Sequence, residues 1–282
     1  MENLWIIFIF LFGILKGARE GMKKSALTKS SADEILFFYT LLGFVFTLPS
    51  IRSAFETDGI FIFYAFLKAL AVGIAWICAF ATLKRISVSL YGIMDLSRMV
   101  FSVLLGVIVL NEALTYKKTI GIVLVLLGLF LLNLKRNAET RKITLFVLVT
   151  ALMNSFFNAV SGIMDKVLMQ YMKSEQLQFW FMLFLTLIYG LIILVKKEKI
   201  SVKTLKTNYW IPLMSILLII GDRLLFEANK SPESQVTVMT VIKQCSVFVT
   251  VLIGRFVFKE KHLAYKLMCT LVVLGGIFIA IL

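Results

Sequence analysis

The sequence predicts an all-α membrane protein in which ten transmembrane helices form two inverted five-helix repeats around a central cavity. First, 60% of the residues are hydrophobic and 16% are charged, and the mean hydropathy of +0.94 lies outside the range of soluble domains. Second, the apolar runs approach the roughly 20 residues that a helix needs to cross the hydrocarbon layer. Third, the pattern of apolar runs and loop residues in the first half of the sequence recurs in the second half.

Ten apolar runs are separated by short polar connections, and we expect each run to form one helix. A helix satisfies its backbone hydrogen bonds internally, as hydrocarbon requires. Pro49, Pro212 and Pro232 lie at or near the ends of runs, where helices begin or stop. The predicted spans are 3–24, 33–50, 59–83, 87–110, 116–134, 143–169, 174–195, 208–229, 233–258 and 265–282.

The internal repeat is clearest where 87–134 aligns with 235–282, without a gap, at a shift of 148 residues. This shift pairs Glu112 with Glu260, each in a loop between two apolar runs. In such an apolar chain, matched loop carboxylates coincide by chance far less often than Val or Leu. The alignment therefore indicates two copies of one unit.

The two copies of the repeated unit define the domain boundaries. We expect a first repeat over 1–134, a linker over 135–142 and a second repeat over 143–282. Because each repeat has an odd number of spans, the second enters the membrane from the opposite side. The repeats are therefore inverted, an architecture common in transporters with a substrate site between the halves.

The net charge of +14 comes mostly from Lys and Arg at the ends of apolar runs, where such residues anchor helices and set orientation. We therefore expect a lipid bilayer as partner and no nucleic acid. The positive-inside rule places the connections after spans 1, 3, 5, 7 and 9 in the cytoplasm and both termini outside. The first apolar run lacks a basic leader, so no removable signal peptide is predicted. We expect a multi-pass protein of a plasma membrane or a bacterial inner membrane.

The sequence offers no motif for catalysis or for a cofactor. Cys78, Cys245 and Cys269 lie inside apolar runs without the spacing of a disulfide or a metal site. HExxH, GxSxG and Asp-rich metal–phosphate loops are absent. We therefore expect no enzyme, no metal and no cofactor.

Charged side chains inside the spans are the candidate binding residues, because each costs about 3 kcal/mol at the bilayer centre unless it meets a partner or a wet cavity. In the first span, Gly13, Gly17 and Gly21 recur every four residues and predict close helix contact. On an adjoining face, Lys16 and Glu20 are spaced to pair along the helix.

Further polar positions follow helical spacing in the other spans. The sixth span has one polar stripe that includes Asn154 and Asp165. The shift of 148 places Asp95 opposite Lys243, and we predict an ion pair between them across the pseudo-twofold axis. The candidate substrate-binding residues are Lys16, Arg19, Glu20, Trp76, Tyr91, Asp95, Arg98, Asn158, Asp165, Asp222, Arg223, Glu227 and Lys243.

Two smaller expectations concern other charges. In the eighth span, Arg223 and Glu227 are spaced to pair with each other, with Asp222 beside them. Lys24 and Lys166 lie nearer to span ends, so we expect them to extend toward the membrane interface.

The span count, the repeat and the two loop glutamates together resemble the drug/metabolite transporter superfamily, in its ten-helix EamA-like branch. The segments that carry the resemblance are Leu110-Asn111-Glu112-Ala113-Leu114 with Gly121 and Gly128, and Phe258-Lys259-Glu260 with Gly275-Gly276. The resemblance implies a cavity lined mainly by helices 1, 3, 4, 6, 8 and 9, with helices 5 and 10 at the periphery. Members often carry a proline in helices 4 and 9, absent here, and usually have cytoplasmic termini, against the charge pattern.

These observations favour a secondary transporter that moves a small charged or zwitterionic, amino-acid-like solute by alternating access. Glu20 and Asp165 are the candidates for coupling to protons. An anionic or phosphorylated solute is an alternative, because basic residues outnumber acidic ones within the spans. A non-transporting membrane subunit of the same fold is another alternative, and a homodimer is compatible with the sequence.

Overall fold

The computed structural model is helical in the part of the chain that it describes, and no strand occurs there. The described residues are 4–110, 116–134, 144–198, 200–231, 234, 236–260 and 263–281. Helical segments lie in all ten predicted regions and are numbered by region. They are α1 Leu4–Ala26, α2 Ala32–Thr47, α3 Gly59–Leu83, α4a Val88–Asp95, α4b Arg98–Leu110, α5 Tyr116–Leu134, α6 Leu145–Leu168, α7 Ser174–Lys196, α8 Trp210–Lys230, α9a Val236–Lys243, α9b Cys245–Phe256 and α10 Leu263–Ile281.

Within the described ranges, five segments are long and apolar enough to cross a membrane: Ala32–Ala54, Gly59–Leu83, Val88–Val109, Leu145–Leu168 and Ser174–Lys196. Large apolar side chains on the outer surface are exposed, as expected where lipid takes the place of water. The helix α1 is less apolar because charged residues crowd its second half. The number of helices that cross the membrane therefore stays a prediction, as does the linker 135–142, which lies outside the described residues.

Several helices begin at a hydroxyl side chain that caps the first turn. The Ser31 Oγ accepts a hydrogen bond from the Glu34 backbone N–H at 3.2 Å, and Ser87 and Thr144 cap α4a and α6 in the same way at 3.4 Å. Such caps satisfy backbone donors that the first turn leaves free. The sequence thus fixes where these helices start.

The helices pack in a pattern that is unchanged when the two halves are exchanged. In the exchange α1 takes the place of α6, α2 of α7, and so on to α5 and α10. The contact of α1 with α8 then corresponds to that of α6 with α3, and α1 with α9b to α6 with α4b. The contacts of α2 with α7 and of α5 with α10 correspond to themselves, and the contact of α4a with α9b corresponds to that of α9a with α4b. This reciprocity supports a pseudo-twofold relation between the halves.

The connections after α1, α3, α7 and α9b meet at one end of the bundle. The Asn208 amide donates to the Ala26 carbonyl at 3.0 Å, and Lys196 pairs with Asp33 at 2.6 Å. The Val88 backbone N–H donates to Glu260 Oε1 at 3.0 Å. The loop glutamate of the second half therefore caps α4a of the first half, while its predicted counterpart Glu112 lies outside the described residues.

Lys24 and Lys166, which the sequence predicts to extend toward the membrane interface, each bind the end of a helix. Lys24 Nζ donates to the carbonyls of Leu83 and Ile86 at the end of α3. Lys166 Nζ donates to the carbonyls of Asn229 and Ser231, both at 3.1 Å, and to Ser234 Oγ just after α8. Helix C-termini leave carbonyls unpaired and attract cations, so each lysine finds a partner inside the bundle. These contacts of Lys24 and Lys166, called the lysine ties below, are equivalent in the two halves.

The fourth and ninth helices are each interrupted, although neither contains a proline. The break in α4 follows Asp95, and the break in α9 follows Lys243, which is the equivalent position at the shift of 148. Here the backbone tightens into i→i+3 hydrogen bonds, such as Met99 N–H to Leu96 O at 3.0 Å and Val247 N–H to Gln244 O at 2.9 Å. The breaks lie beside charged residues of the cavity, where a change of helix type often has a functional role.

The glycines of α1 make the close helix contact that their spacing predicts. A methyl group added at Gly17 would lie 2.5 Å from the Ser246 carbonyl oxygen and 2.6 Å from Val249 Cβ on α9b. Gly13 and Gly21 face Cys245 and Ile253 of the same helix. The absence of side chains on this face of α1 therefore sets the distance between the two helices.

We expect Gly17→Ala to lower the stability of the folded protein by about 1–3 kcal/mol, because the added methyl overpacks a contact with backbone atoms. Gly275→Ala on α10 is the matched control, since an added methyl there meets no described residue within 4 Å. Thermal unfolding of the two variants in detergent would test this. Equal unfolding temperatures for both variants and the parent would show that the α1–α9b contact tolerates separation.

Candidate functional site

A cavity of about 100 Å³ lies in the middle of the bundle between the two halves. It is smaller than the roughly 300–1,000 Å³ of pockets for drug-sized ligands, so it suits a small solute in this conformation. Its walls come from α1, α3, α4, α6, α7, α8 and α9. The lining residues are Phe12, Lys16, Arg19, Glu20, Lys23, Lys68, Val72, Trp76, Tyr91, Arg98, Ser102, Asn154, Asn158, Ser161, Gly162, Asp165, Phe181, Leu218, Asp222, Leu225, Phe226, Val236, Lys243 and Gln244.

Asp95 is the centre of one charged cluster, and its partners differ from the predicted one. Lys16 Nζ lies 2.7 Å from Asp95 Oδ2, and Arg98 Nη2 lies 2.9 Å from Asp95 Oδ1. The Asn154 amide also donates to Asp95 Oδ1 at 3.2 Å. The prediction of an Asp95–Lys243 ion pair is therefore wrong. Equivalent positions in the two halves need not meet, and here a lysine of α1 reaches the carboxylate instead.

The charges of α1 also pair differently from the helical spacing. Glu20 accepts a hydrogen bond from Lys23 at 2.8 Å rather than from Lys16. Lys16, which is spaced to pair with Glu20, binds Asp95 on α4a instead, and Glu20 pairs with Lys23 at i,i+3 on its own helix. Arg19 Nη1 donates to Tyr39 Oη at 3.3 Å and lies 3.9 Å from Asp222 Oδ1 on α8. Arg19 therefore links the two halves.

A second link between the halves joins α3 to α6. Lys68 Nζ lies 3.2 Å from Asp165 Oδ1, outside the angles of a hydrogen bond but within the range of an ion pair. The same ammonium lies 3.7 Å from the centre of the Phe181 ring. A cation between a carboxylate and an aromatic face is well compensated in a dry site.

Lys243 is the cavity cation that lacks such compensation. Among the described residues, no carboxylate oxygen lies within 4.0 Å of its Nζ atom. The ammonium lies 5.8 Å from the centre of the Phe12 ring. The next residue, Gln244, also lines the cavity, and its Oε1 atom is buried without a hydrogen-bond partner in the described part of the chain. The break in α9 thus places a cation without a close ion pair beside a free acceptor, and the carboxylate that attracts this cation, Asp165, is already paired with Lys68.

Arg223 and Glu227 lie away from the cavity, and they do not pair with each other as predicted. Arg223 donates to Gln178 Oε1 at 3.1 Å and pairs with Glu175 at 3.3 Å, both on α7. Glu227 pairs with Lys230 at 2.8 Å. These two residues follow Asp222 in sequence, but the helical rotation carries them to another face of α8.

The other predicted site residues are brought together. Those that line the cavity are Lys16, Arg19, Glu20, Trp76, Tyr91, Arg98, Asn158, Asp165, Asp222 and Lys243, and Asp95 lies behind them in the wall. Sequence reasoning missed Lys23, Lys68 and Gln244 as lining residues. Lys68 carried a signal, because it is a lysine in the middle of an apolar run. Lys23 lies at the end of the predicted first span, where the sequence gives no sign that it is buried, and the structure buries it within α1.

The arrangement can bind a small polar solute through charges of both signs. Unpartnered donors at Arg19 Nε and Arg98 Nε lie in a site that also holds unpartnered acceptors such as Glu20 Oε2. Each buried polar atom without a partner costs free energy, which a bound solute or water would recover. Within the described part of the chain, no group of His, Cys, Asp or Glu could hold a metal ion.

Comparisons with known proteins agree with this architecture. No curated protein matches the chain. A solved structure described only as a crystal structure of a protein superimposes with a TM-score of 0.73 at 10% sequence identity, over 99% of this chain and 97% of that one. At such low identity the likeness shows the fold alone. The model of the EamA-like transporter family matches residues 3–134 and 145–282, nearly the whole sequence in two copies. The chain therefore belongs to the EamA-like transporter family.

Proposed function

We propose that this membrane transporter moves a small charged or zwitterionic, amino-acid-like metabolite by alternating access. In this proposal, residues 1–134 and 143–282 are inverted five-helix repeats joined by a linker over 135–142. The two repeats rock about the central cavity and expose it to one side of the membrane and then to the other. The protein acts in a plasma membrane or a bacterial inner membrane, with ten helices that cross it.

The observation that carries the proposal is a small cavity with charges of both signs between two halves whose contacts are reciprocal. The outer surface is apolar, so these charges have no role toward lipid. A scaffold gains nothing from so many charged groups in hydrocarbon, since each is costly to bury. Binding of a solute that enters from water explains why these charged groups line the cavity.

The ion pairs across the cavity favour two alternating conformations over one fixed channel. Arg19–Asp222 and Lys68–Asp165 each join a helix of the first half to a helix of the second. Such pairs can open and re-form as the halves rock, especially the longer pair at 3.9 Å. Exchange of labelled for unlabelled solute across a vesicle membrane, without net flux, would distinguish a carrier from a channel.

We expect Arg98→Gln to abolish stabilisation of the purified protein by its solute and to abolish transport, because Arg98 supplies a cavity cation and a free Nε donor. A solute at about 100 times its dissociation constant should stabilise the parent by roughly 2.7 kcal/mol. Thermal unfolding against a panel of amino acids, amines, carboxylates and sugar phosphates measures this effect.

Arg223→Gln is the matched control, since Arg223 is paired with Glu175 outside the cavity. We expect it to keep solute stabilisation and transport. Loss of both responses in both variants would argue against the central cavity as the binding site. A panel in which no solute stabilises the well-folded parent would contradict the proposed transport of a small metabolite.

Coupling to protons is a further part of the proposal, with Glu20 and Asp165 as the candidate groups. Glu20 Oε2 is buried and accepts no hydrogen bond among the described residues, and Asp165 Oδ1 meets only the Lys68 ammonium, at 3.2 Å and outside the angles of a hydrogen bond. In this proposal Glu20 takes a proton directly, and Asp165 takes one when its ion pair with Lys68 opens. We expect an inward proton gradient to drive solute accumulation in proteoliposomes at least several-fold.

Asp165→Asn should remove this dependence on the gradient while solute exchange continues, because a neutral amide cannot carry the proton. Glu175→Gln, outside the cavity, should leave the dependence intact. Accumulation by the parent that is equal with and without a pH gradient would end the proposal of proton coupling but leave transport itself in place.

A further inference from the structure

The charges at the cavity do not balance, and this imbalance bears on the solute. Six cationic side chains line the cavity: Lys16, Arg19, Lys23, Lys68, Arg98 and Lys243. Three carboxylates line it as well, and a fourth, Asp95, is paired from the wall. With every group ionised, the described residues of the site therefore carry a net charge of +2, from six cations minus four carboxylates.

The excess has two identifiable sources. Asp95 is shared by Lys16 at 2.7 Å and Arg98 at 2.9 Å, so one carboxylate serves two cations. Lys243 has no carboxylate within 4.0 Å among the described residues, and the carboxylate that attracts it from farther away, Asp165, is already paired with Lys68. The remaining cations are paired one to one with Glu20, Asp165 and Asp222. The uncompensated positive charge therefore lies around Arg98 and Lys243, on the two interrupted helices.

We infer that the transported solute is a small anion of net negative charge, whose carboxylate or phosphate oxygens bind between Arg98 and Lys243. This inference rests on the proposed transport function and narrows its solute class. A zwitterion without further charge would leave the net charge of the site unchanged, whereas an anion removes part of the excess. Uncompensated charge in a site of low dielectric is costly, so the site binds the solute that neutralises it.

The geometry of the donors agrees with an anion. The Arg98 Nε atom is buried and unpartnered, and guanidinium groups hold carboxylate and phosphate oxygens well. Lys243 supplies a second cation with three donors and no acceptor. The free acceptors Glu20 Oε2 and Gln244 Oε1 leave room for one donor on the same solute, such as an amine or a hydroxyl. An acidic amino acid or a hydroxylated carboxylate therefore fits better than a plain hydrocarbon acid.

The test measures thermal unfolding of the full chain in detergent with five probes at matched ionic strength: alanine, lysine, aspartate, succinate and inorganic phosphate. We expect aspartate, succinate or phosphate to raise the unfolding temperature in a saturable way, and alanine and lysine to have little effect. The anion that responds distinguishes carboxylate from phosphate recognition. Stabilisation by alanine as strong as by the anions would overturn the inference but support transport of a zwitterion.

Lys243→Gln supplies the site-specific test. We expect it to weaken anion affinity at least about tenfold, as loss of a charge-assisted contact does, while Lys243→Arg retains most of the affinity. Lys166→Gln is the matched control, because Lys166 binds helix-end carbonyls outside the cavity. Unchanged anion affinity in Lys243→Gln would contradict the inference.

The same variant has a second readout that needs no ligand. Because Lys243 has no close ion pair and its attracting carboxylate, Asp165, is already held by Lys68, its removal should leave the unfolding temperature of the solute-free protein unchanged or higher. A lower unfolding temperature would show that Lys243 has a structural partner and would contradict the charge imbalance. No response to any of the five probes would count against the proposed transport function as well as against its solute class.

Discussion

The structure depends on one constraint, which is that charges taken into hydrocarbon must find partners. Lys16, Arg19 and Lys68 lie at membrane depth by their position in apolar runs, and each approaches a carboxylate on another helix. Breaking such a buried pair by removing one partner typically costs 3–5 kcal/mol. These pairs therefore fix which helices are neighbours, while the apolar surfaces around them supply close packing. The cavity exists because the paired groups cannot be covered by apolar side chains.

The sequence predicted the helical regions, the two copies and most of the charged groups of the cavity wall, because hydropathy and periodicity act along the chain. It did not predict the partners of the charges. Asp95 was assigned to Lys243 by repeat symmetry, but Lys16 from another helix lies closer. The sequence makes Arg223 a candidate because it is a charge inside a span, but on a helix it is turned about 100° from Asp222. Tertiary packing decides which charged groups pair with each other, and a single sequence contains only indirect information on that packing.

The interrupted helices connect the fold to the site. In each, the chain leaves regular helix directly after a charged residue, and the tightened turn exposes polar groups toward the cavity. A proline is a common cause of such a break, but here the local i→i+3 bonds achieve it alone. Ser97 helps by donating to the Met94 carbonyl at 2.8 Å. At this point the fold gives up some stability to form the site, as proteins usually do where functional positions hold strained or uncompensated groups.

The hydrogen bonds of Lys24 and Lys166 to the ends of α3 and α8 bear on the origin of the protein. Lys24 and Lys166 each bind carbonyls of their own half, so the tie works in a single half-length chain. The cavity charges do not share this property, because a symmetric dimer of identical half-chains would place the same residue at both positions now held by Asp95 and Lys243. An ancestral gene for one half could therefore have encoded these lysine contacts before duplication and fusion. The charge asymmetry of the cavity arose when the two halves diverged afterwards.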